Sequence, residues 1–411
     1  MFQWIYNNMT QNFCQFPWTS LLVNIDEDRW RWCTKVPNRL GFSKFYPISK
    51  DLDSVKEGML DNTKPKQCTA CWREENVGFK SHRIIENGST VEGYNLGIRF
   101  LDVALSKHCP MACATCGPES STRWRDIHDT YDDIPYANRF SPTPKVNKEQ
   151  SFQKILGLVQ DNISSLERIN LIGGETAQDP LFYRLAERLL SLDVLRNKTL
   201  IRIVTSANYT DDKFLDTLQQ LKSKGFRLRI VVSIDAAYAQ QEFLRAGVVW
   251  NRFEKNTLEL ISAGFCKDIN VVVSSINIGM ISSIPNWLEL HNLLDTVNPN
   301  LIFVQDKFSL ATLGGMGLYL LPTWKAEHRE HMIWKELIQQ INRTIRRNRF
   351  VLPNEDALLR LARYIQWYAT TNKFTMPDEL KKFFYLVELY KRQPLLFGQK
   401  VQQGTDQTDP E

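Results

Sequence analysis

The run Cys109-Pro-Met-Ala-Cys113-Ala-Thr-Cys116 places three thiols three and two residues apart, directly after a short apolar stretch. Iron-sulfur clusters are held by cysteine thiolates, usually four of them. Three thiolates on one tight loop can ligate three irons of a 4Fe-4S cluster and leave the fourth iron open to another ligand. Zinc also accepts three cysteines, completed by a neighbour such as His108, so the spacing by itself leaves that alternative standing.

A second set precedes it: Cys14, Cys33 and then Cys68-Thr69-Ala70-Cys71. Four thiolates complete one closed site, which suits either a structural zinc or a fully ligated iron-sulfur cluster. Eight cysteines in 411 residues are too sparse for a disulfide scaffold, and seven of them fall within the first 116 residues. In a reducing compartment such short spacings point to metal ligation. Cys266 stands alone and is expected to be a small core residue.

Two further motifs have polar groups at strand ends. Leu171-Ile172-Gly173-Gly174-Glu175 puts two glycines where backbone can approach a ligand, followed by a carboxylate able to accept hydrogen bonds from an ammonium group. Val232-Ser233-Ile234-Asp235 offers a hydroxyl and a carboxylate on one strand face, suited to ribose hydroxyls.

The elements that must position these residues follow from hydrophobic periodicity. Apolar, β-branched runs at Leu96 to Ala104, Ile169 to Ile172, Leu200 to Thr205, Leu228 to Ile234, Ile269 to Ser275 and Leu301 to Gln305 predict six strands. Amphipathic stretches at Pro180 to Leu192, Asp211 to Leu221 and Phe253 to Ala263 predict helices between them. Strand-helix alternation implies an α/β fold with a parallel sheet, open or closed into a barrel, with active-site groups at the carboxyl ends of its strands. Arg125 to Asn147 reads as a polar insertion. Three helices are expected at His331 to Arg347, Glu355 to Tyr368 and Pro377 to Arg392. Their aromatics Trp334, Trp367 and Tyr368 are expected in the core. Ahead of the alternation, Leu21 to Ile25 and Arg29 to Trp32 suggest a hairpin turning at Asp26-Glu27-Asp28.

These motifs, in this strand order over roughly residues 97 to 305, resemble the radical S-adenosylmethionine superfamily, whose core is a partial (β/α)6 TIM-like barrel. The resemblance implies that Cys109, Cys113 and Cys116 carry a 4Fe-4S cluster and that Gly173, Gly174 and Glu175 receive the methionyl amino group of S-adenosylmethionine. It puts Ser233 and Asp235 where family members contact the ribose, and Arg245 where many hold the methionyl carboxylate. Ser274 and Asn277 are looser candidates. Thr115 stands where an aromatic residue is common, and Thr176 where proline usually follows Gly-Gly-Glu. The four-cysteine region is similar to the "twitch" auxiliary-cluster module, here ahead of the barrel. That likeness implies an auxiliary 4Fe-4S cluster, with zinc the alternative. The implied organisation is a twitch-like domain at 1–90, the barrel at 91–325, helices at 326–400 and a loose tail at 401–411. The implied activity is reductive cleavage of S-adenosylmethionine to a 5'-deoxyadenosyl radical that abstracts hydrogen from a peptide or protein. A reductase or a flavodoxin- or ferredoxin-type donor would supply the electrons.

Competing readings are a radical enzyme acting on a small molecule or nucleoside, and a non-enzymatic zinc-stabilised binding protein. Composition is that of a folded protein, 43% hydrophobic and 24% charged. A net charge of +5 is too mild to imply a specific nucleic-acid partner. Arg343, Arg346, Arg347 and Arg349 read as a solvated helix face. No apolar run reaches the ~18 residues of a membrane helix and the first eight residues lack a secretory pattern, so no membrane partner and a cytoplasmic location are expected.

Overall fold

The structure, a computed structural model of the chain, describes residues 11–33, 35–36, 50–76, 80–87, 98–131, 134–135, 146–192, 198–304, 308–394 and 397. The first eight residues, Leu96, Gly97, Gln305, the tail from Gln402 and, of the insertion expected at 125–147, residues 132–133 and 136–145 lie outside the described residues; residues 125–130 of that expected insertion are instead helical.

After a single helical turn at Phe16–Thr19 comes a hairpin, β1 (Ser20–Asn24) and β2 (Arg29–Arg31), joined by a 3-10 turn at Ile25–Glu27. Helices α1 (Lys50–Leu60), α2 (Thr69–Asn76) and α3 (His82–Asn87) follow. Then β3 (Phe100–Ala104) leads into the cysteine loop, which ends at α4 (Thr122–Thr130). Beyond it run α5 (Lys148–Asn162), β4 (Arg168–Ile172), α6 (Pro180–Ser191), β5 (Leu200–Thr205), α7 (Lys213–Ser223) and β6 (Arg227–Ser233). The alternation continues with α8 (Ala239–Leu244), α9 (Trp250–Ser262), β7 (Cys266–Val273), α10 (Ser283–Leu290) and β8 (Asn298–Phe303). It closes on α11 (Met332–Arg347), α12 (Glu355–Thr371) and α13 (Asp378–Arg392).

All six expected strands are present, and their order with intervening helices is the α/β architecture that a partial barrel requires. None of the described helices is long and apolar enough to cross a membrane.

The chain divides into two units, one of residues 1–108, 142–203 and 212–229, the other of 109–141, 204–211 and 230–411. In the first, β1, β3, β4 and β5 run parallel: Leu22 pairs with Asp102, Asp102 with Asn170 and Asn170 with Arg202. The hairpin near the cysteines is therefore part of this sheet, with β1 beside β3 and β2 antiparallel outside it. Ile169, Leu171, Ile201 and Ile203 alternate as the buried face. Helix α6 is capped by Asp179, has proline at its first position, and buries Phe182, Leu185, Ala186 and Leu189 as one stripe.

In the second unit β6, β7 and β8 are parallel, with a bulge between Ile230 and Val231. Cys266 opens β7 fully buried, its thiol 3.4 Å from the carbonyl of Asp268, as a small core residue would be. Helix α12, capped by Asn354, buries Leu358, Leu361, Ile365 and Tyr368 along one face.

Candidate functional site

The cysteine loop is fixed by the first turn of α4. Ser121 caps that helix, accepting from Trp124 N–H, and its hydroxyl donates to the carbonyl of Met111 at 2.6 Å. Thr122 Oγ1 accepts from Cys109 N–H at 3.1 Å, and Arg123 N–H donates to Cys109 O at 3.2 Å. Between them, Cys116 N–H closes a turn onto Cys113 O at 3.0 Å. Burial, with Cys113 and Cys109 close by, drives the Cys116 thiol far up from the ordinary range. Cationic iron is what would let three thiolates share this buried loop.

Cys113 pairs with Arg245, and Ala112 with Ala246, in a short antiparallel ribbon. The Arg245 guanidinium donates through Nε to Asp235 at 2.9 Å, and its Nη1 lies 3.9 Å from Cys113 Sγ. Burial opposes the arginine's charge, yet Asp235 and Cys113 outweigh it and hold its pKa up. A buried cation beside a thiolate cluster offsets negative charge that burial would otherwise penalise. The donor set, its spacing and this counter-charge all fit a three-cysteine iron-sulfur cluster.

Three successive carbonyls of the loop each receive an aromatic donor. Tyr368 Oη donates to Ala112 O at 2.7 Å, Trp124 Nε1 to Cys113 O at 2.9 Å, and Tyr364 Oη to Ala114 O at 2.6 Å. Sequence reading places Tyr368 among the core aromatics and passes over Tyr364, and the only available signal is a polar tip on a buried helix stripe. Trp367 stacks on Trp124, and Trp334 is fully buried as expected.

The other expected ribose and cofactor residues of this unit are tied together. Gln241 accepts from Asp235 N–H and donates to Ser233 O. Asp235 Oδ1 accepts from Val272 N–H at 3.0 Å. Asn277 donates to Asp235 O and Val272 O, while its Oδ1 accepts from Ser274 N–H and Oγ–H. Ser274 and Asn277 therefore shape the loop after β7 against Asp235, and sequence reading misses Gln241, the residue that binds both ends of Ser233-Ile234-Asp235.

In the first unit, Gly174 N–H donates to Ser106 O at 2.9 Å and Glu175 N–H to His108 O at 2.6 Å. Gly173 has φ +104°, open to glycine, and a Cβ on Gly174 would collide with His108 backbone, 2.7 Å from its carbonyl carbon. Glu175 is buried, with Oε1 accepting Ala177 N–H at 3.1 Å.

Cys14, Cys33, Cys68 and Cys71 line one pocket together with Trp32 and His82. Cys68 and Cys71 lie three apart across the junction of a 3-10 turn and α2, so they share a side. Burial pushes Cys33 and Cys68 up to about 12, and Cys14 well up. Backbone N–H groups counter this at three sulfurs: Phe16 at Cys14, Lys35 at Cys33 (3.4 Å) and Arg83 at Cys71. Donors aimed at sulfur favour thiolate, the form a metal ligand takes, but burial outweighs them at each of these cysteines. All eight cysteines are thiols. Among the described residues, no three His, Cys, Asp or Glu side chains close to the spacing of a single bound ion. Arg343, Arg346 and Arg347 are exposed, as a solvated face requires.

No protein-family model matches the chain, and no curated protein matches it. Among solved structures, histidine-tagged anSMEcpe with bound AdoMet is 13% identical at TM-score 0.38, covering 54% of this chain and 57% of that one. The chain thus spans just over half the length of that protein. Streptococcus suis SuiB bound to precursor peptide SuiA is 15% identical at TM-score 0.34, covering 85% of this chain and 71% of that one. The same SuiB bound to S-adenosylmethionine is 15% identical at TM-score 0.34, with 76% and 68% covered.

Proposed function

We propose that the chain is a radical S-adenosylmethionine enzyme, with Cys109, Cys113 and Cys116 ligating a 4Fe-4S cluster and a peptide or protein as substrate. The observation that carries the reading is the half-buried Arg245 guanidinium, 3.9 Å from Cys113 Sγ and ion-paired to Asp235, on the strand paired with the three-cysteine loop. His108, the neighbour that would complete a zinc site, is exposed.

Cys109, Cys113 and Cys116 would hold the cluster, which when bound would supply one electron for cleavage of the C5'–S bond of S-adenosylmethionine to methionine and the 5'-deoxyadenosyl radical. The chain's own residues orient and enclose. Arg245 balances charge at the loop, Asp235 holds that arginine in place, and the Gly173-Gly174-Glu175 turn offers close backbone and a buried carboxylate for the methionyl end. The N-terminal thiols would hold an auxiliary 4Fe-4S cluster, a four-cysteine centre with no open iron, suited to taking an electron from a substrate radical. The peptide class rests on the likeness of this region to twitch modules, and a flavodoxin- or ferredoxin-type protein would donate the first electron.

The test is anaerobic purification with iron and sulfide analysis, then incubation with S-adenosylmethionine and a reductant. Release of 5'-deoxyadenosine is expected, abolished by Cys113→Ala and partly retained in Cys68→Ala. Zinc alone in the purified protein would end the reading, and identical behaviour of the two variants would end the division of labour.

A further inference from the structure

We propose that Tyr364 and Tyr368 of α12 are positioning residues for the cysteine loop, holding Cys113 in register with Arg245. The inference rests on the proposed function and deepens it by extending the site to the C-terminal helices.

A loop that presents three thiols on one side must place its carbonyls elsewhere, and buried carbonyls need donors. Here the carbonyls of residues 112, 113 and 114 meet Tyr368, Trp124 and Tyr364 in turn. Ala114 N–H is spent on Leu244 O at 2.8 Å, so both polar groups of that residue are fixed. The Tyr368 hydroxyl does two things. It donates to Ala112 O and accepts from Ala246 N–H at 3.2 Å, and these are the paired residues next to the Cys113-Arg245 pair. One oxygen therefore fastens both strands of the ribbon at the end that sets the distance from guanidinium to sulfur.

The rings cannot drift. Tyr364 stacks on Tyr368 at 5.9 Å, and Trp124 stacks on Tyr368 and on Trp367, each at 6.1 Å. Phe243 packs edge-on against Tyr368 at 5.8 Å. Burial also keeps both phenols protonated by raising their pKa well above the ordinary value, so each remains a donor across the working range. A tyrosine needed only for bulk would be served by phenylalanine in this setting; the hydroxyls are what reach the loop.

The experiment compares Tyr368→Phe, Tyr364→Phe and a packing control, Phe374→Leu, which loosens the ring contact on Tyr368 while keeping its hydroxyl. Metal-free protein is treated with iodoacetamide and labelling is followed cysteine by cysteine. Loss of one hydrogen bond is expected to speed labelling of Cys113 by about fivefold in either tyrosine variant, with Cys14 and Cys33 unchanged and the control like wild type. In reconstituted, reduced protein, the electron paramagnetic resonance shift on adding S-adenosylmethionine should be altered in Tyr368→Phe. Wild-type labelling and an unchanged resonance in both tyrosine variants overturn the proposal, as does equal acceleration in the control. Should Tyr368→Phe fail to fold, Tyr364→Phe decides. A wild-type protein that takes up no iron counts against the proposed function alone, since the labelling contrast on metal-free chains still decides the clamp.

Discussion

Gly174 lies against the backbone of His108 with no room for a side chain, its amide donating to Ser106 O and the next amide to His108 O. The Gly-Gly-Glu turn is thus joined backbone to backbone to the residues leading into the cysteine loop. Gly174→Ala would bring a methyl group to 2.7 Å from the His108 carbonyl carbon and 2.9 Å from its nitrogen, and rigid backbone cannot yield as a side-chain tip can. Overpacking of this kind costs about 1–3 kcal/mol. The variant should show a lower Tm, and binding of S-adenosylmethionine by equilibrium dialysis should weaken by about fivefold or more if such a loss falls on the bound state. Unchanged affinity would remove the turn from the binding site.

Arg245 and Asp235 form a buried pair, with side-chain exposures of 12% and 5%. Removing one partner strands a charge, which costs about 3–5 kcal/mol, whereas replacing both with apolar groups is far milder. Urea unfolding of Arg245→Met and Asp235→Asn should each show a loss of that order, and Arg245→Met with Asp235→Leu should recover part of it. Additive losses would mean the two residues act independently.

How much of this was legible in the chain differs by the range of the interaction. The six strands and the helices α6, α7 and α9 between them were readable because apolar residues repeat with period 2 or 3.6, and α6 also declared its start through Asp179 and Pro180. Cysteine spacing is local and was readable too. The parallel pairing of β1 with β3 was not, because Ser20 and Phe100 are joined by eighty residues and a short apolar strand reads alike in a hairpin or a sheet. Tyr364 and Tyr368 occupy positions of a buried helix stripe, where a ring reads as core, and their partners stand 250 and 256 residues away. Asp235 and Arg245 could each be placed by strand order, but their ion pair depends on the ribbon between residues 112–113 and 245–246, two residues per strand and too short to show a period.

Asp179 gives a pH dependence. Burial raises its carboxyl above the usual range, and hydrogen bonds from Ser106 Oγ (2.5 Å) and Leu181 N–H offset only part of this. A carboxyl whose folded pKa is raised penalises the native state progressively as pH climbs from the unfolded value through the folded one; below the unfolded value the penalty is absent. Asparagine preserves the cap without the charge. Asp179→Asn should therefore melt a few degrees above wild type at pH 8, with the gap closing near the unfolded aspartate value of about 3.9. A gap that widens toward acid would reverse the sign and refute the assignment.

Asp26 ties the turn between β1 and β2 to the backbone that precedes Cys109. Its Oδ2 accepts Lys107 N–H at 2.7 Å, two residues before Cys109, and its other oxygen meets Lys148 Nζ at 2.5 Å. Lys107 Nζ reaches Glu27 of the same turn at 3.0 Å. Asp26 and Lys107 are both buried, so Asp26→Ala leaves an amide without its partner at a cost of about 1–3 kcal/mol. The strain falls on the stem of the loop. Hydrogen exchange should quicken at residues 105–108 in Asp26→Ala, and much less in Glu27→Gln, whose partner Lys107 keeps its backbone bond to Asp26. Were the N-terminal region a separately folding domain, exchange in that stem would match wild type in both variants. The turn between β1 and β2 predicts the opposite, because it holds the backbone that leads into the proposed cluster ligands.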